Sequence, residues 1–351
     1  MSNRGAIIRF CAAALCITLF MTYTSVKTLK LTAYNDVIIP VMAPTYYDTT
    51  YQQDQTVQKA DDTNNTTQED TASSTVNPDF IPVSASGTVQ GKVIEKFISP
   101  YTANTSYDNV YLKNNTELQI NLKDFITGTL DFNIQKNSEP QVLILHTHAT
   151  ESYLLHNENY YTENDTARNT DNAYNMVALG KIISDKLNTA GIVTLHDTTQ
   201  HDNPSYNESY SRAAKTINSY KKKYPSLKIV IDLHRDSIAQ NDTDKVKVTT
   251  EVNGKKAAQV MLVMGSQSGS VTNFPNWKEN LKLASKLQKT LEDMYPSLAR
   301  SILLMPKNYN QSLTTGSMLI EIGTDGNTLA EAKYSAELVA EALISLLNTL
   351  Q

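Results

Sequence analysis

The chain reads as an α/β fold, a mostly parallel six-stranded sheet with helices on both faces, preceded by a membrane anchor and a disordered linker. Three observations predict it. From residue 141 onward, short aliphatic runs alternate with amphipathic segments of helical length. Near the start a charge-free run, Phe10 to Tyr23, stands between basic residues. A stretch rich in Thr, Asn, Gln, Asp and Ser, Tyr46 to Ala85, separates the two. Residues 1–30 are therefore read as the anchor and 31–88 as an extended, then low-complexity linker. Residues 89–140 form a small β element, and 141–351 the main α/β domain.

Composition narrows the function classes. The 351 residues carry a net charge of -5. No basic excess exists to neutralise phosphates, which excludes nucleic acid as the main partner. Both cysteines, Cys11 and Cys16, fall in the apolar run, so the remaining chain has no disulfide and no cysteine-ligated metal. A metal there must use His, Asp or Glu. The folded part also lacks a Gly-x-Ser-x-Gly elbow, which disfavours a nucleophilic hydrolase.

In the amino-terminal run, Arg4 and Arg9 precede and Lys27 and Lys30 follow. The run is shorter than the roughly 20 residues of a spanning helix, and Ala6 to Ile8 add length if Arg9 snorkels. A signal peptide has the same layout, but no small-x-small cleavage site follows. The expectation is an uncleaved anchor with the folded part outside the cytoplasm. The polar stretch after it cannot bury enough apolar surface to offset ordering and is expected to be a tether.

In the folded part, Val93 to Ile98 reads as a strand or short helix, and Tyr107 to Leu112 and Leu118 to Leu122 as extended. Val142 to Leu145, apolar at every position, reads as a strand covered on both faces. Met176 to Leu187 has helical apolar spacing, Gly191 marks its exit, and Ile192 to Leu195 is a second strand. Tyr210 to Tyr224 is a helix closed by Pro225, and Lys228 to Leu233 a third strand. A charged loop with a hairpin at Asn253-Gly254 leads to a fourth strand, Ala258 to Met264. Trp277 to Met294 is a long amphipathic helix. Ile302 to Met305 and Met318 to Ile322 are the last strands, and Ala330 to Leu347 the closing helix.

Chemistry gathers at three strand ends. His148 and Glu151 follow the first strand, where open α/β sheets place ligands. An imidazole and a carboxylate at this spacing can converge on zinc, which takes both ligand types and keeps a position open for water. The third strand ends Asp232-Leu-His-Arg-Asp236. There Asp232 or Asp236 can accept the far ring N–H of His234. Glu321 interrupts an apolar strand, where a carboxylate needs a proton, a cation or a partner. Two histidines and a glutamate give three ligands, and Glu321 is the group to take and return a proton in amide hydrolysis. His146 is the rival to His148, since the two share a face if the strand runs on. Arg235 and Asn310 are expected substrate contacts, whereas His156, His196 and His201 read as surface loop residues.

The fragments His146-Thr-His-Ala-Thr-Glu-Ser152, Asp232-Leu-His-Arg-Asp236, Asn308-Tyr-Asn-Gln311 and Leu319-Ile-Glu-Ile-Gly-Thr-Asp-Gly-Asn327 resemble the stage II sporulation protein P family. That family is similar to the zinc N-acetylmuramoyl-L-alanine amidases, and the resemblance runs from about Val89 to the end. It implies an amidase-like fold and zinc-dependent cleavage of peptidoglycan between muramic acid and L-alanine, with endopeptidase activity on cross-linking peptides. By motif the zinc ligands are His148, Glu151 and His234, and the catalytic carboxylate is Glu321. His146, Asp232, Arg235, Asp236 and Asn310 fall to the substrate or to the shell behind the ligands. The family further implies a membrane anchor, action during forespore engulfment, and a stage II sporulation protein D-like transglycosylase as partner. The competing readings are another zinc carboxypeptidase-like hydrolase and a non-catalytic wall-binding protein of the same fold.

Overall fold

A computed structural model describes residues 84–136 and 139–351. The predicted anchor and nearly all of the predicted linker lie outside the described residues. The first part comprises β1 (Val89–Lys96), β2 (Thr105–Tyr107), β3 (Val110–Asn114) and the short α1 (Leu122–Thr127). Then follow β4 (Val142–Leu145), β5 (Tyr160–Thr162), α2 (Met176–Thr189), β6 (Thr194–His196), α3 (Ser209–Lys223) and β7 (Ile229–Asp236). The hairpin β8 (Lys245–Val252) and β9 (Lys255–Ala258) leads into β10 (Val260–Gly265). The chain closes with α4 (Trp277–Met294), β11 (Ile302–Met305), β12 (Gly316–Thr324) and α5 (Leu329–Asn348).

The six-stranded expectation is corrected to a mixed sheet of eight, ordered β2-β3-β11-β10-β12-β7-β4-β6. The strands read from the aliphatic runs are β4, β6, β7, β10, β11 and β12, and β2 and β3 extend one edge. β10 runs antiparallel to β12. The sequence reads Ala258 to Met264 as one strand, but fully buried Gln259 breaks it, with its amide tied to the Ile98 and Ser297 carbonyls. A second sheet, β5-β1-β8-β9, uses residues that read as a charged loop. Asn253 and Gly254, with φ of 50° and 75°, make the tight turn between β8 and β9.

The aliphatic strands alternate between two cores. Val142, Ile144, Ile231, Leu233, Ile320 and Ile322 pack in a large core with apolar residues of α2, α4 and α5. Leu143, Leu145 and Val230 pack with Ala213 and Ile217 of α3 on the other face. Each fully buried aliphatic side chain contributes about 1.5–3 kcal/mol. The same alternation puts Asp232, His234 and Glu321 on the α3 face, opposite the three-helix core.

Among the described residues no helix is long and apolar enough to cross a membrane. The two longest, α4 and α5, are charged along their length; α5 alone carries Glu331, Lys333, Glu337 and Glu341. The expectations of a membrane anchor, a location outside the cytoplasm and a stage II sporulation protein D-like partner are corrected accordingly. No described element carries them; the run on which the anchor and location rested lies outside the described residues, and the partner had rested on the family resemblance alone.

Candidate active site

The site is built where β4, β7 and β12 lie side by side. β4 pairs with β7 in parallel, Leu145 opposite Asp232, and β7 pairs with β12, His234 opposite Glu321. β12 is thus an inner strand, with Met261 of β10 on its other side. After Leu145 the chain leaves the extended conformation in a turn over residues 147–150. Asp232 fastens that turn: its carboxylate accepts from the Thr147 N–H (2.8 Å) and hydroxyl (2.6 Å).

Because the strand stops, His146 and His148 part company. His146 keeps the face of Ile144 and points toward α2. Its Nδ1–H donates to the Leu233 carbonyl (3.1 Å), so its Nε2 accepts from His196 Nε2–H (2.9 Å). A Cβ on Gly180 of α2 would come within 2.4 Å of His196 Nε2 and 2.7 Å of His146 Nε2, so only glycine leaves room for the pair. Burial holds the His146 imidazole down to about 3, with His196 as the next cause. His148 instead turns to the α3 face. Its ring centroid lies 5.2 Å from that of His234, and its buried Nδ1 has no hydrogen-bond partner. Burial pushes it down to about 4, against the pull of Glu151, leaving a neutral imidazole with a free lone pair.

His234 lies between two carboxylates. Its Nδ1 is 3.6 Å from Glu151, an ion-pair distance rather than a hydrogen bond. Its Nε2 is 2.9 Å from Asp232 but out of line, and makes no hydrogen bond. Burial opposes a charge on this ring, but Asp232 and Glu151 outweigh it and hold its pKa well above the ordinary value. Glu151 is correspondingly low: burial works against its charge, but His234 and Arg235 bring it down to about 2. Glu321 is raised to about 8, chiefly by burial, with Asp236 and Glu151 adding repulsion against the pull of His234. Its Oε2 is sealed and has no partner.

Among the described residues no group of three or more His, Cys, Asp or Glu side chains is arranged to hold a metal ion. The donor chemistry nonetheless fits a cation. His148 Nδ1 and Glu321 Oε2 are buried polar atoms without hydrogen bonds, and such atoms call for a partner; His234 between them has its ion-pair partners in Asp232 and Glu151. Neutral imidazole and carboxylate are the ligands zinc takes. The residues that could hold it are His148, Glu151 and His234.

Other expected residues are committed elsewhere. Arg235 donates through Nε to the Ser152 carbonyl (2.7 Å), through Nη1 to that of Asp236 (3.2 Å) and through Nη2 to that of Ala167 (2.6 Å). It braces the site from behind. Asp236 takes Arg300 Nη1 at 2.8 Å, a buried ion pair. Asn310, at φ 58°, donates to the Tyr210 carbonyl and fixes the loop beside α3. His156 and His201 are not surface residues. His156 is 2.9 Å from Asp165, and His201 donates to the His146 carbonyl and accepts from the Thr216 hydroxyl, both at 2.9 Å.

An aromatic wall completes the site, and sequence reading missed it. Tyr206 stacks on His148 with centroids 4.5 Å apart and planes 12° apart. Tyr210 meets His148 edge-on and lies nearly parallel to His234, and Tyr309 sits 6.3 Å from Tyr210. Burial raises the Tyr210 hydroxyl well above its ordinary value, with Asp232 and Glu321 adding to it. Tyr210 belongs to the first turn of α3, whereas Tyr206 and Tyr309 lie in loops, and no local pattern announced the three together.

A buried His–Glu constellation on adjacent strands, under a tyrosine wall, defines an α/β protein with a candidate site of buried polar side chains. The chain belongs to the stage II sporulation protein P family, whose model matches residues 24–344. It is 32% identical over 213 residues to stage II sporulation protein P of Bacillus subtilis (strain 168). That match covers 57% of this chain and 49% of the relative, so the chain spans about half the length of the curated relative it matches. Among solved structures it is similar to an N-acetylmuramoyl-L-alanine amidase from Clostridium difficile 630 (15% identity, TM-score 0.35, 60% of this chain and 97% of the other). It is also similar to the CwlD amidase of Clostridioides difficile in complex with the GerS lipoprotein (12% identity, TM-score 0.37, 60% and 98%).

Proposed function

We propose that the chain is a zinc-dependent N-acetylmuramoyl-L-alanine amidase of peptidoglycan, working in the sporulation setting that its family's name carries. One observation supports this above others: His148 and Glu321 present buried polar atoms without hydrogen bonds, beside the His234–Glu151 pair. His148, Glu151 and His234 would hold the metal. Bound zinc would polarise the scissile carbonyl and make water more acidic. Glu321 Oε2 accepts the proton as the water oxygen bonds to the carbonyl carbon. It returns that proton to the nitrogen as the carbon–nitrogen bond breaks. The products are a muramoyl carboxylic acid and a free amino group on L-alanine. Asp232 fixes the Thr147 turn and supplies the negative charge beside His234, and Tyr206 and Tyr210 pack against the two imidazoles.

Purified sacculi test this reading. Incubation with the full chain and zinc is expected to release alanine amino groups while leaving glycan strands uncut. Glu321→Gln keeps size and most hydrogen bonding but loses basicity. It is expected to fold and to bind zinc, with turnover lowered by roughly two to four orders of magnitude. New reducing sugar ends without free alanine amino groups would reject the amidase. Unchanged turnover in the variant would remove Glu321 from proton transfer.

A further inference from the structure

Arg168 is held beside the site with half of its guanidinium unused. Its position is set by main chain: residue 168 bridges to Glu151 in antiparallel fashion, and the Asn169 N–H donates to the Thr150 carbonyl at 2.7 Å. Its Nη1 is bonded to Asp202 and to Thr150 Oγ1 (3.1 Å). Asp202 is itself fully enclosed and also takes the Thr150 hydroxyl at 2.6 Å. The flat face of the guanidinium lies over Tyr206, Cζ 4.9 Å from the ring centroid, and that ring stacks on His148. Arg168 Nε and Nη2 carry no hydrogen bond among the described residues, and the side chain is 42% exposed. Arg235 and Arg212, by contrast, are bound to backbone carbonyls.

We propose that Arg168, with Tyr206 as its platform, is a subsite for a carboxylate of the substrate's peptide, on the alanine side of the scissile amide. A guanidinium edge with two parallel N–H groups matches a carboxylate in bidentate fashion, and a fork already fixed by Asp202 and Tyr206 loses little freedom on binding. Arg168 stands one ring beyond His148. Two or three residues of extended peptide, at about 3.3–3.6 Å each, bridge that gap. The inference rests on the amidase reading for the identity of the peptide, although the anion site itself does not.

Binding of N-acetyl-L-alanyl-D-glutamate and of its bis-carboxamide to the full chain separates the possibilities. Measured with metal removed, the probe is neither cleaved nor drawn to a cation. The carboxylate form is expected to bind about tenfold tighter or more, and Arg168→Gln to erase that preference. Equal affinity of the two probes for the unaltered chain, or a preference that survives in Arg168→Gln, overturns the subsite. If that variant does not fold, Arg168→Lys decides, because it keeps the charge but not the fork. A preference lowered about threefold or more supports the subsite, and an unchanged one overturns it. An Arg168-dependent preference in a chain that leaves sacculi uncut keeps the subsite and rejects the amidase. Release of alanine amino groups without any such preference does the reverse.

Discussion

Single residues here owe their roles to where a strand stops. His146 and His148 are two apart, and an extended chain would have put both on one face. The turn held by Asp232 separates them, one toward α2 and His196, the other toward His234. The His146–His196 pair is kept neutral in the protein interior, and this has a consequence for acid stability. Burial lowers His196 to about 4, against Asp197 and Asp185, with Lys181 helping. In the unfolded chain the same ring titrates near 6.5. Between those values the unfolded state holds the extra proton. The contribution of His196 is therefore complete above about pH 6.5 and is lost as the pH falls toward 4, by at most about 1.4 kcal/mol per pH unit. His234, whose pKa is raised, acts in the opposite sense. Denaturant midpoints across this range, for the unaltered chain and for His196→Asn, give the difference. The variant is expected to lose stability less steeply with acid, and identical slopes would show that His196 does not titrate in this way.

Elements were legible where one neighbour decides their character and illegible where distant neighbours do. β4 could be read because an unbroken aliphatic run is what burial on both faces demands, and the site histidine follows its end. β8 was read as loop because Lys245, Lys247 and Glu251 dominate its composition. Val246 and Val248 are nonetheless buried at period two, and Lys247 is itself buried against Glu331 at 3.0 Å. Its partner β1 lies far away in sequence, so no local pattern announced the pairing. The start of α5 shows a local device at work. Thr328 accepts from the Glu331 N–H while Glu331 accepts from the Thr328 N–H, a reciprocal capping box. Glu331 also holds Lys247 and Asn327, so this cap joins α5 to the second sheet. Thr328→Ala is expected to lower stability by about 1 kcal/mol in chemical denaturation, with little change in helix content. A shift near zero would mean that the Glu331 contacts alone fix this helix end.

At the scale of the whole molecule, one sheet sorts its two faces by function. One face is closed by α2, α4 and α5, and the other leaves Asp232, His234 and Glu321 beneath the tyrosines. That His148, His234 and Glu321 would come together was legible because β4, β7 and β12 carry them side by side in parallel. Arg168, Tyr206 and Tyr309 were not, because loops carry them and main-chain contacts set by the finished fold position them. The central claim is that the metal belongs to the His148 side of the separated pair. Zinc content of the purified full chain, of His148→Ala and of His146→Ala tests it most directly. About one zinc per chain is expected in the unaltered protein and in His146→Ala, and loss of zinc in His148→Ala with its fold retained. Retained zinc in His148→Ala together with lost zinc in His146→Ala would contradict it.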